Sequence, residues 1–546
     1  MHGLMMSMPM TIGSILEHAQ RIFGAKLVVT RQPDRSLHVM TYRDLHTRAR
    51  KLANALTALG IQPGERVGTL GWNHHQHVEA YFGIPEMGGI IHTLNIRLSS
   101  DQLAYIINHA KDRAILVDGS QIPLLEDIRD RIRGVEHFII WSGADQVACN
   151  LPGTIHRYED LLDEADASHE CPIRDERAAM GLCYTSGTTG HPKGVLYSHR
   201  SMYLHTLGVN QANAFGLTER DNVLAVVPQF HAMCWGLPYG AALAGANLVM
   251  PGPFLDAASL AELLHDRRIT VAAGVPTIWN SLYHELKRNP VDISSIRALI
   301  VGGSAMPRPL IQAYEQELGV NVMHAWGMTE TSPIGSVCVP LARHRDLEPE
   351  AAWDVKARQG PPVAGIALRI ARDEEEQPWD DRSTGEIQVK GHWVASQYYR
   401  TENQPEHFTP DGWFRTGDIA AVNSDGYIRI TDRTKDLIKS GGEWISSVEL
   451  ENTLLSHANI RETAFVALSD EKWGERPLAV IVPHDWDEGI SLQEVRRHLA
   501  PKFPSFWLPD AIALVSEIPK TSVGKFDKKV IRQQILNGEL EIVREE

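Results

Sequence analysis

The chain contains 546 residues, and its 53 Lys and Arg against 68 Asp and Glu give a formal net charge of −15. This length exceeds what one hydrophobic core usually supports, which predicts a division into a large and a small unit. The negative charge excludes a general attraction for nucleic acid or anionic membranes, and no apolar run approaches the roughly 20 residues of a membrane span.

Cysteine usage indicates the redox environment. The five cysteines are scattered along the chain and show no C-x-x-C spacing. A disulfide framework or a zinc site is therefore not expected, and a reducing cytoplasm fits this pattern.

The first part of the chain alternates predicted helices with predicted strands. Apolar residues at helical spacing predict a helix over 41–60, with Thr41 as N-cap and Gly60 as the stop. The elements that follow are a strand over 66–70, a helix over 99–110, and strands over 114–118 and 137–141. This alternation predicts parallel sheets built from βαβ units.

A strand predicted over 180–184 leads into a stretch rich in glycine and hydroxyls, Thr-Ser-Gly-Thr-Thr-Gly-His-Pro-Lys-Gly, at 185–194. Glycines let backbone N–H groups turn towards an anion, the hydroxyls donate further hydrogen bonds, and Lys193 supplies a positive charge. A solvated turn is the simpler alternative, but a plain turn needs no lysine. A Walker loop is excluded because Lys193 lies between Pro192 and Gly194. The stretch therefore predicts a nucleotide phosphate loop of another kind.

Further strands are predicted after this loop, over 223–227, 246–250, 271–273, 298–301 and 320–324. Three of them end in stretches that carry functional residue types: one contains His231, one contains Gly302 and Gly303, and one runs from 325 to 331. Ligands of open α/β sheets bind beyond the carboxyl ends of the strands, so these loops are expected to converge with the phosphate loop on one crevice.

The remaining third is predicted to be β-rich at first and then to form a compact α+β unit. The acidic stretch 373–381 is interpreted as a solvated surface loop, and a lone Thr-Gly-Asp at 416–418 is most often a turn. The charged, glycine-rich stretch 432–444 is predicted to be a domain linker, an anion-binding loop or both. The predicted elements are strands over 384–391, 427–431, 463–468, 478–482 and 512–515, and helices over 448–457 and 492–499.

Taken in this order, these stretches resemble the adenylate-forming superfamily of acyl-CoA synthetases, adenylation domains and beetle luciferases, over essentially the whole chain. The phosphate loop at 185–194, the adenine and magnesium segment at 326–330 and the aspartate of 416–418 all match the family's motifs. The hinge at 432–435 and a late catalytic lysine, Lys525, complete the match. Ser522 and Lys525 also fit the S-x-x-K pattern of serine acylases, but this alternative is rejected because the other acylase motifs are missing downstream.

Within the superfamily the chain looks most like bacterial medium- and long-chain fatty acyl-CoA synthetases. The sequence segments on which this resemblance rests lie at 226–231, 251–253, 301–305 and 438–446. Ligases for short acids such as methylmercaptopropionate share most of these strings, so the family is better defined than the acyl chain length.

The resemblance implies an α/β fold with two units. A large N-terminal domain of βαβ-built sheets with a β-rich portion, residues 1–431, is expected to bind ATP and the acyl group. A hinge at 432–435, with Lys435 as pivot, is expected to join it to a small mobile α+β domain, residues 436–546, which carries the catalytic lysine and the CoA loop. The resemblance also implies ATP and coenzyme A as substrates, Mg²⁺ as cofactor, a cytoplasmic location, a homodimer, and no nucleic acid partner or membrane span.

The resemblance also assigns site residues. The catalytic residues are expected to be Lys525, Glu330 and Thr185, with Glu330 as the metal ligand. ATP or AMP is expected to contact Thr185, Ser186, Gly187, Thr188, Thr189, Gly190, Lys193, Gly303, His324, Ala325, Trp326, Gly327, Thr329, Asp418 and Arg433. The acyl group is expected to contact His231, Trp235, Gly302, Gly303 and Pro333. CoA is expected to contact Lys439, Ser440, Gly441, Gly442, Glu443 and Trp444.

Each assignment has a structural alternative. Taken alone, Glu330 is a helix-start carboxylate, Asp418 a turn residue and Arg433 a surface ion-pair partner. Trp235 fits core packing as well as it fits a gate for the acyl chain. The family's usual Tyr-Gly is Trp326-Gly327 here, which keeps an aromatic wall but loses the phenol. His191 at the phosphate loop is expected to face solvent rather than to contact phosphate.

The predicted function is that of a fatty acyl-CoA synthetase, which forms acyl-AMP and pyrophosphate from a carboxylate and ATP and then transfers the acyl group to CoA, releasing AMP. One alternative is a ligase for short-chain or methylmercaptopropionate-type acids. An acyl-AMP ligase without a CoA step is disfavoured by the intact Lys-Ser-Gly-Gly at 439–442, and a non-catalytic nucleotide-binding protein by the presence of Lys525 and Glu330.

Overall fold

The structure is a computed structural model that describes residues 1, 3–141, 149–185, 191–401, 404–440, 443–521 and 525–544. Its α-helices are α1 (Ile12–Phe23), α2 (Tyr42–Ala58), α3 (His75–Glu86), α4 (Ser100–Ala110), α5 (Ile122–Ile128), α6 (Tyr158–Glu164), α7 (His199–Val209), α8 (Leu237–Ala244), α9 (Ala257–Asp266), α10 (Pro276–Arg288), α11 (Arg308–Glu317), α12 (Pro349–Lys356), α13 (Ser447–Leu454), α14 (Leu492–Leu499) and α15 (Lys528–Leu536). Short 3-10 helices cover Gly119–Gln121, Ala232–Gly236, Thr329–Thr331, Ala342–His344 and Ser505–Trp507.

The strands are β1 (Leu27–Arg31), β2 (Leu37–Thr41), β3 (Arg66–Leu70), β4 (Ile90–Thr93), β5 (Asp112–Val117), β6 (His137–Ile140), β7 (Thr154–Arg157), β8 (Ala179–Thr185), β9 (Lys193–Ser198), β10 (Asn222–Ala225), β11 (Asn247–Met250), β12 (Val271–Gly274), β13 (Ala298–Val301), β14 (Val322–Gly327), β15 (Ile334–Val337), β16 (Ile366–Arg372), β17 (Glu375–Glu376), β18 (Thr384–Gly391), β19 (Phe414–Val422), β20 (Ile428–Arg433), β21 (Ile438–Ser440), β22 (Glu443–Ile445), β23 (Ile460–Asp470), β24 (Gly474–Pro483), β25 (Ala511–Leu514) and β26 (Val543–Arg544).

Two large, mainly parallel sheets form most of the N-terminal part. A seven-stranded sheet has the order β7-β6-β5-β3-β4-β8-β9, and an eight-stranded sheet has the order β15-β14-β13-β12-β10-β11-β1-β2. Among the described strands of these two sheets, the antiparallel pairs lie at the edges, β8–β9 in the first and β1–β2 and β14–β15 in the second. Helices α1, α2, α3, α7 and α8 share one buried apolar cluster with strands of both sheets. The predicted βαβ organisation is confirmed.

Two smaller sheets follow. An antiparallel sheet of order β17-β16-β18-β19-β20 precedes a mixed sheet of order β22-β21-β24-β25-β26, in which β23 also pairs with β24. Helices α13 and α14 pack on this last sheet around a separate apolar core that includes Leu450, Phe465, Ile481 and Val495. The β-rich portion and the small α+β unit expected from the sequence are therefore present. The domain limits remain a prediction, and β20 extends to Arg433, inside the predicted hinge.

Local signals account for the elements that were predicted well. The Thr41 side chain accepts from the Asp44 backbone N–H while the Asp44 carboxylate accepts from that of Thr41, which forms the capping box that starts α2. Gly60 beyond the helix has φ of 85°. Of the described residues, none lies in a helix that is both long and apolar enough to cross a bilayer.

Most predicted boundaries differ from the structure by a few residues, and two differences are informative. The strand predicted over 320–324 begins at Val322 and continues to Gly327, because its last residues leave β13 and pair with β15, as in Ala325 with Val337. The acidic stretch 373–381 is mostly exposed, as predicted, but Glu375 and Glu376 pair with the end of β16 as a short hairpin.

Candidate active site

The predicted nucleotide and acyl residues come from three sheets of the large domain, and those of the two mainly parallel sheets lie at or beyond strand ends. Thr185 ends β8 and lies opposite Lys193 at the start of β9. Gly302 follows β13, Trp326 is near the end of β14, and Glu330 lies in the 3-10 helix beyond it. Residues 186–190 of the phosphate loop lie outside the described residues. His191 is exposed and stacks on Tyr105 with ring centroids 4.3 Å apart, as the solvent-facing expectation requires.

Asp418 is buried and is bonded on one side to the buried Trp326 and on the other to Arg433, whose side chain is 44% exposed. It lies directly opposite Arg433 in the β19–β20 pair, and Arg433 Nε is 3.1 Å from Asp418 Oδ1. The indole Nε1–H of Trp326 donates to Asp418 Oδ2 at 2.8 Å. Each carboxylate oxygen is thus held by a donor from a different strand, which fixes the plane of the carboxylate.

Lys525 reaches this group from the small domain. Its backbone N–H donates to Thr521 Oγ1 at 3.2 Å and its carbonyl accepts from the Thr521 N–H at 2.6 Å, so the backbone of Lys525 is bound to that of Thr521. A methyl group placed on Gly303 would lie 3.3 Å from Lys525 Cε, so the lysine stem packs against a residue without a side chain. Gly303 has φ of 86°, a conformation that favours glycine.

The charge environment of Lys525 is mixed. Burial and then the positive charge of Arg433 lower the pKa of Lys525 to about 8, although the Asp418 carboxylate acts in the opposite direction. Smaller effects come from Lys435, which lowers the pKa further, and from Glu330, which raises it. An amine with this pKa is largely cationic at neutral pH and sits where a further anion would be stabilised.

Glu330 and Lys193 form the second charged group. The Tyr398 hydroxyl donates to Glu330 Oε1 at 2.6 Å, and Lys193 Nζ lies 5.1 Å from the centroid of the Tyr398 ring. Lys193 Nζ also donates to His407 Nε2. Burial raises the pKa of Glu330, and the bond from Tyr398 opposes this. The sequence did not identify Tyr398 or His407 as site residues. Tyr398 stands in a Tyr-Tyr pair and His407 in a polar stretch, and neither belongs to a recognisable motif.

Glu330 suits a magnesium ion that is held mainly by phosphate and water. In the described part of the chain, no group of three or more His, Cys, Asp or Glu side chains is arranged to hold a metal ion. A single carboxylate is nevertheless what Mg²⁺ typically receives from a protein when a nucleotide supplies the other oxygens. The Tyr398 hydroxyl uses one lone pair of Glu330 Oε1, and the remaining lone pairs of the Glu330 carboxylate are available to a metal ion.

The segment that the sequence predicts to contact adenine is mostly buried. His324 is buried, and burial lowers the pKa of this imidazole to about 4, so it is neutral at physiological pH. Ala325 is also buried, and the Tyr197 hydroxyl donates to the Thr329 carbonyl at 2.8 Å. A methyl group on Gly327 would lie 1.9 Å from the Pro333 carbonyl oxygen, so this position accepts only glycine without movement of the backbone.

Four of the predicted acyl residues, His231, Trp235, Gly302 and Gly303, lie close to Lys525 or to one another. Residues 232–235 adopt left-handed φ angles of 42°, 51°, 53° and 53°, which cost roughly 1–2 kcal/mol per non-glycine residue. This turn directs Trp235 onto Gly302, where an added methyl group would lie 2.9 Å from Trp235 Cη2. Burial and the Lys525 charge lower the pKa of His231 to about 3. Pro333 follows Ser332, whose hydroxyl donates to the Trp393 carbonyl at 2.7 Å.

The predicted CoA residues lie elsewhere. Lys439 and Trp444 are cross-strand partners in the β21–β22 hairpin, both exposed, and the Arg372 guanidinium lies 5.6 Å from the Trp444 ring centroid. Ser440 is instead buried and accepts from Arg476 at 3.1 Å, so its hydroxyl is used within the small unit. Gly441 and Gly442 lie outside the described residues, and of Glu443 only its backbone position in β22 is described. The hairpin therefore does not share the crevice of Lys525.

The predicted pivot, Lys435, is exposed, and its carbonyl accepts from Arg532 at 3.3 Å. Other contacts cross the predicted hinge. Arg429 pairs with Glu449 at 2.7 Å, and the Asp432 carboxylate accepts from the backbone N–H and the hydroxyl of Ser447 at 2.6 and 2.7 Å. These contacts hold α13 against the end of β20.

Comparison with known proteins gives a consistent result. A family model described as AMP-binding enzyme matches residues 16–399, and one described as AMP-binding enzyme C-terminal domain matches residues 449–525. The chain is 46% identical over 539 residues to a long-chain-fatty-acid–CoA ligase of Thermus thermophilus, covering 98% of this chain and 97% of that protein. It is 41% identical to a medium-chain-fatty-acid–CoA ligase of Ectopseudomonas oleovorans, covering 98% and 97% of the two chains.

Two further similarities bear on substrate and fold. A 3-methylmercaptopropionyl-CoA ligase of Ruegeria lacuscaerulensis is 40% identical, with 98% of this chain and 99% of that protein covered. The crystal structure of the anthranilate CoA ligase AuaEII with anthranoyl-AMP has a TM-score of 0.86 and 26% identity, covering 98% of this chain and 100% of that one. The latter similarity confirms the predicted fold class of a large α/β domain followed by a small C-terminal unit.

Proposed function

The chain belongs to the AMP-binding enzyme family, and we propose that it is an ATP-dependent acyl-CoA synthetase for medium- or long-chain fatty acids. In the first half-reaction a carboxylate oxygen attacks the α-phosphorus of ATP, the bond from that phosphorus to the bridging oxygen breaks, and pyrophosphate leaves. In the second half-reaction the sulfur of CoA attacks the acyl carbon, the thiol proton is released, and AMP leaves.

The observation that carries the proposal is the position of Lys525. Its stem packs on Gly303, between the Asp418–Arg433 pair and the acyl residues around Trp235. Joining two anions requires that the site neutralise charge rather than supply a nucleophile. An ammonium group at this point would lie between the fatty carboxylate and the α-phosphate, where negative charge accumulates.

The remaining residues fit complementary roles. Asp418 would accept the ribose hydroxyls, with Arg433 beside it, and the wall of residues 324–327 would flank the adenine. Thr185 and Lys193 would hold the β- and γ-phosphates together with residues 186–190. Glu330 would ligate Mg²⁺, which when bound neutralises phosphate charge. Trp235 and Gly302 would limit the acyl site.

The second half-reaction requires a rearrangement in this scheme. Lys525 and the CoA hairpin lie on the same small unit, but Trp444 packs at β16, which is separated from β20 by two strands, roughly 14 Å across the sheet. Rotation about Lys435 would exchange Lys525 for the hairpin. We also propose that the protein is a cytoplasmic homodimer, and this proposal rests on the family resemblance alone.

One alternative substrate class has a specific observation in its favour. The methylmercaptopropionyl-CoA ligase is 40% identical to the chain, almost the same as the 41% of the medium-chain enzyme. A short sulfur-containing acid is therefore the second candidate.

The test is release of pyrophosphate by the purified protein with ATP and Mg²⁺, with and without CoA, across butyrate, 3-methylmercaptopropionate, octanoate and palmitate. We expect CoA-dependent multiple turnover that is fastest on octanoate or palmitate. Preference for methylmercaptopropionate would favour the second candidate. Equal turnover with and without CoA would contradict the proposed thioesterification, and no turnover on any acid would refute the proposed function.

A further inference from the structure

The hydrogen bond from Trp326 to Asp418 is the feature that the family resemblance does not explain. The resemblance leads one to expect a phenol at position 326, and the indole found there has a single polar atom, Nε1. That atom donates to Asp418 Oδ2 at 2.8 Å, across 92 positions of sequence. The bond also joins two sheets, since Trp326 is in β14 and Asp418 in β19.

The surroundings of Trp326 are adapted to the indole. The side chain is only 6% exposed, and a methyl group on Gly335 would lie 2.5 Å from Trp326 Cζ3. Gly335 therefore provides the space for the second ring of the indole. The ring is held by packing on this side, so Nε1 has a fixed direction towards the carboxylate.

The consequence concerns the lone pairs of Asp418. A carboxylate offers about four acceptor positions, two on each oxygen. Trp326 uses one on Oδ2 and Arg433 uses one on Oδ1. One position on each oxygen remains, and the two together match a pair of neighbouring hydroxyl groups. Because Trp326 is a neutral donor, it fixes the carboxylate without adding to the positive charge next to Lys525.

We propose that Trp326 is a positioning residue for nucleotide recognition, which orients the Asp418 carboxylate to accept both hydroxyls of the ATP ribose and so sets the preference for ATP over deoxy-ATP. This rests on the proposed function, in which Asp418 is the ribose acceptor. Without the indole N–H, the carboxylate can rotate about its bond to Cβ, and its alignment with the two hydroxyls is no longer enforced.

The first test variant is Trp326→Phe, which retains an aromatic ring and removes the donor. The matched control is Trp393→Phe, which also removes a buried indole donor, one that bonds to the Ile334 carbonyl at 3.0 Å and not to Asp418. The measured quantity is kcat/KM for pyrophosphate release with ATP, 2′-deoxy-ATP and 3′-deoxy-ATP, at saturating fatty acid and CoA. A thermal melt of each variant separates loss of stability from loss of recognition.

We expect Trp326→Phe to raise the KM for ATP about tenfold, the effect of losing one hydrogen bond to a charged group, with a smaller change in kcat. Both deoxynucleotides should be affected less than ATP, so the discrimination ratio falls. Trp393→Phe should leave that ratio as in the wild type. An unchanged ratio in Trp326→Phe, or an equal change in both variants, would overturn the proposal.

A second variant removes the N–H group while keeping the packing of the side chain, so that a loss of folding cannot explain the result. Site-specific replacement of Trp326 by β-(3-benzothienyl)alanine keeps the shape of the indole and substitutes sulfur for the N–H. The same fall in the discrimination ratio is expected, and a wild-type ratio would overturn the proposal. Failure of the proposed function is distinguishable, since the wild-type protein would then show no CoA-dependent turnover with any nucleotide.

Discussion

The lowered pKa of Lys525 leads to a specific pH dependence of the first half-reaction. In the role proposed for Lys525, only the ammonium form stabilises charge at the α-phosphate, so we expect adenylate formation to require a protonated Lys525. Burial and Arg433 lower the pKa of this lysine from 10.5 to about 8. The protonated fraction in the free enzyme therefore falls from about nine tenths at pH 7 to about one tenth at pH 9. An ordinary lysine would remain almost fully protonated over this range.

The assay is pyrophosphate release without CoA in a single turnover, measured from pH 6.5 to 9.5. This avoids the second half-reaction and the titration of the CoA thiol. We expect the second-order rate constant, which is the single-turnover rate constant divided by the half-saturating ATP concentration, to decrease about tenfold per pH unit above pH 8, because this parameter reports the free enzyme. The rate constant at saturating ATP should decrease only at higher pH, since the phosphates of bound ATP favour the ammonium form.

Two variants test the assignment. Lys435 also lowers the pKa of Lys525, so Lys435→Gln should move the alkaline decrease to higher pH; no domain rotation is needed in a single adenylation turnover. Lys525→Arg should remove the decrease from whatever activity remains, because arginine does not lose its proton in this range. A wild-type profile that is flat to pH 9.5, or a decrease that persists in Lys525→Arg, would refute the reasoning.

Three further substitutions test separate roles within the site. Lys525→Ala should slow adenylate formation on the order of 10² to 10³ while conversion of supplied acyl-AMP and CoA continues; equal loss in both half-reactions would contradict its role. Tyr398→Phe should release Glu330 and raise the Mg²⁺ concentration needed for half-maximal activity several-fold, with an unchanged KM for the fatty acid as the control. Gly302→Leu should displace the indole of Trp235 and lower kcat/KM for palmitate far more than for butyrate. The expected loss is about 0.8 kcal/mol of binding free energy for each methylene that is excluded. A uniform loss across chain lengths together with a lower melting temperature would indicate that Gly302 and Trp235 are core packing residues instead.

Elements with strong local signals were predictable from the sequence. The capping box at Thr41 and the periodic apolar residues locate α2, and the helix predicted over 492–499 coincides with α14. β3 and β13 were likewise predicted with their observed bounds, because short buried runs between turn residues are typical of parallel strands.

The side-chain geometry of the site was not predictable. The bond from Tyr398 to Glu330 spans 68 positions, and only the packing of several elements brings the two side chains together. The left-handed turn at 232–235 contains no glycine, and its residue types have no local preference for positive φ. The sequence identified Trp326 as an unusual residue, but not where its N–H is directed.

The structure also separates two glycines that the sequence treated alike. Gly302 faces Trp235, whereas Gly303 has a left-handed φ and packs against Lys525. Leucine at position 303 would therefore strain the backbone and displace Lys525, which under the proposed mechanism would slow adenylation of every acid. Of these two glycines, Gly302 is therefore the better position for testing the preferred acyl chain length under the proposal, because a substitution there does not directly contact Lys525.

Under the proposed function, this arrangement serves the first half-reaction only. Lys525 occupies the crevice, and the CoA hairpin packs at β16 through Trp444. The small unit is held in this orientation by Arg429 with Glu449 and by Asp432 with Ser447, all across the predicted hinge. Rotation about Lys435 must break these contacts before the CoA thiol can approach. Because the Asp432–Ser447 bonds are buried, their loss requires that these groups gain water or new partners, and this cost opposes rotation.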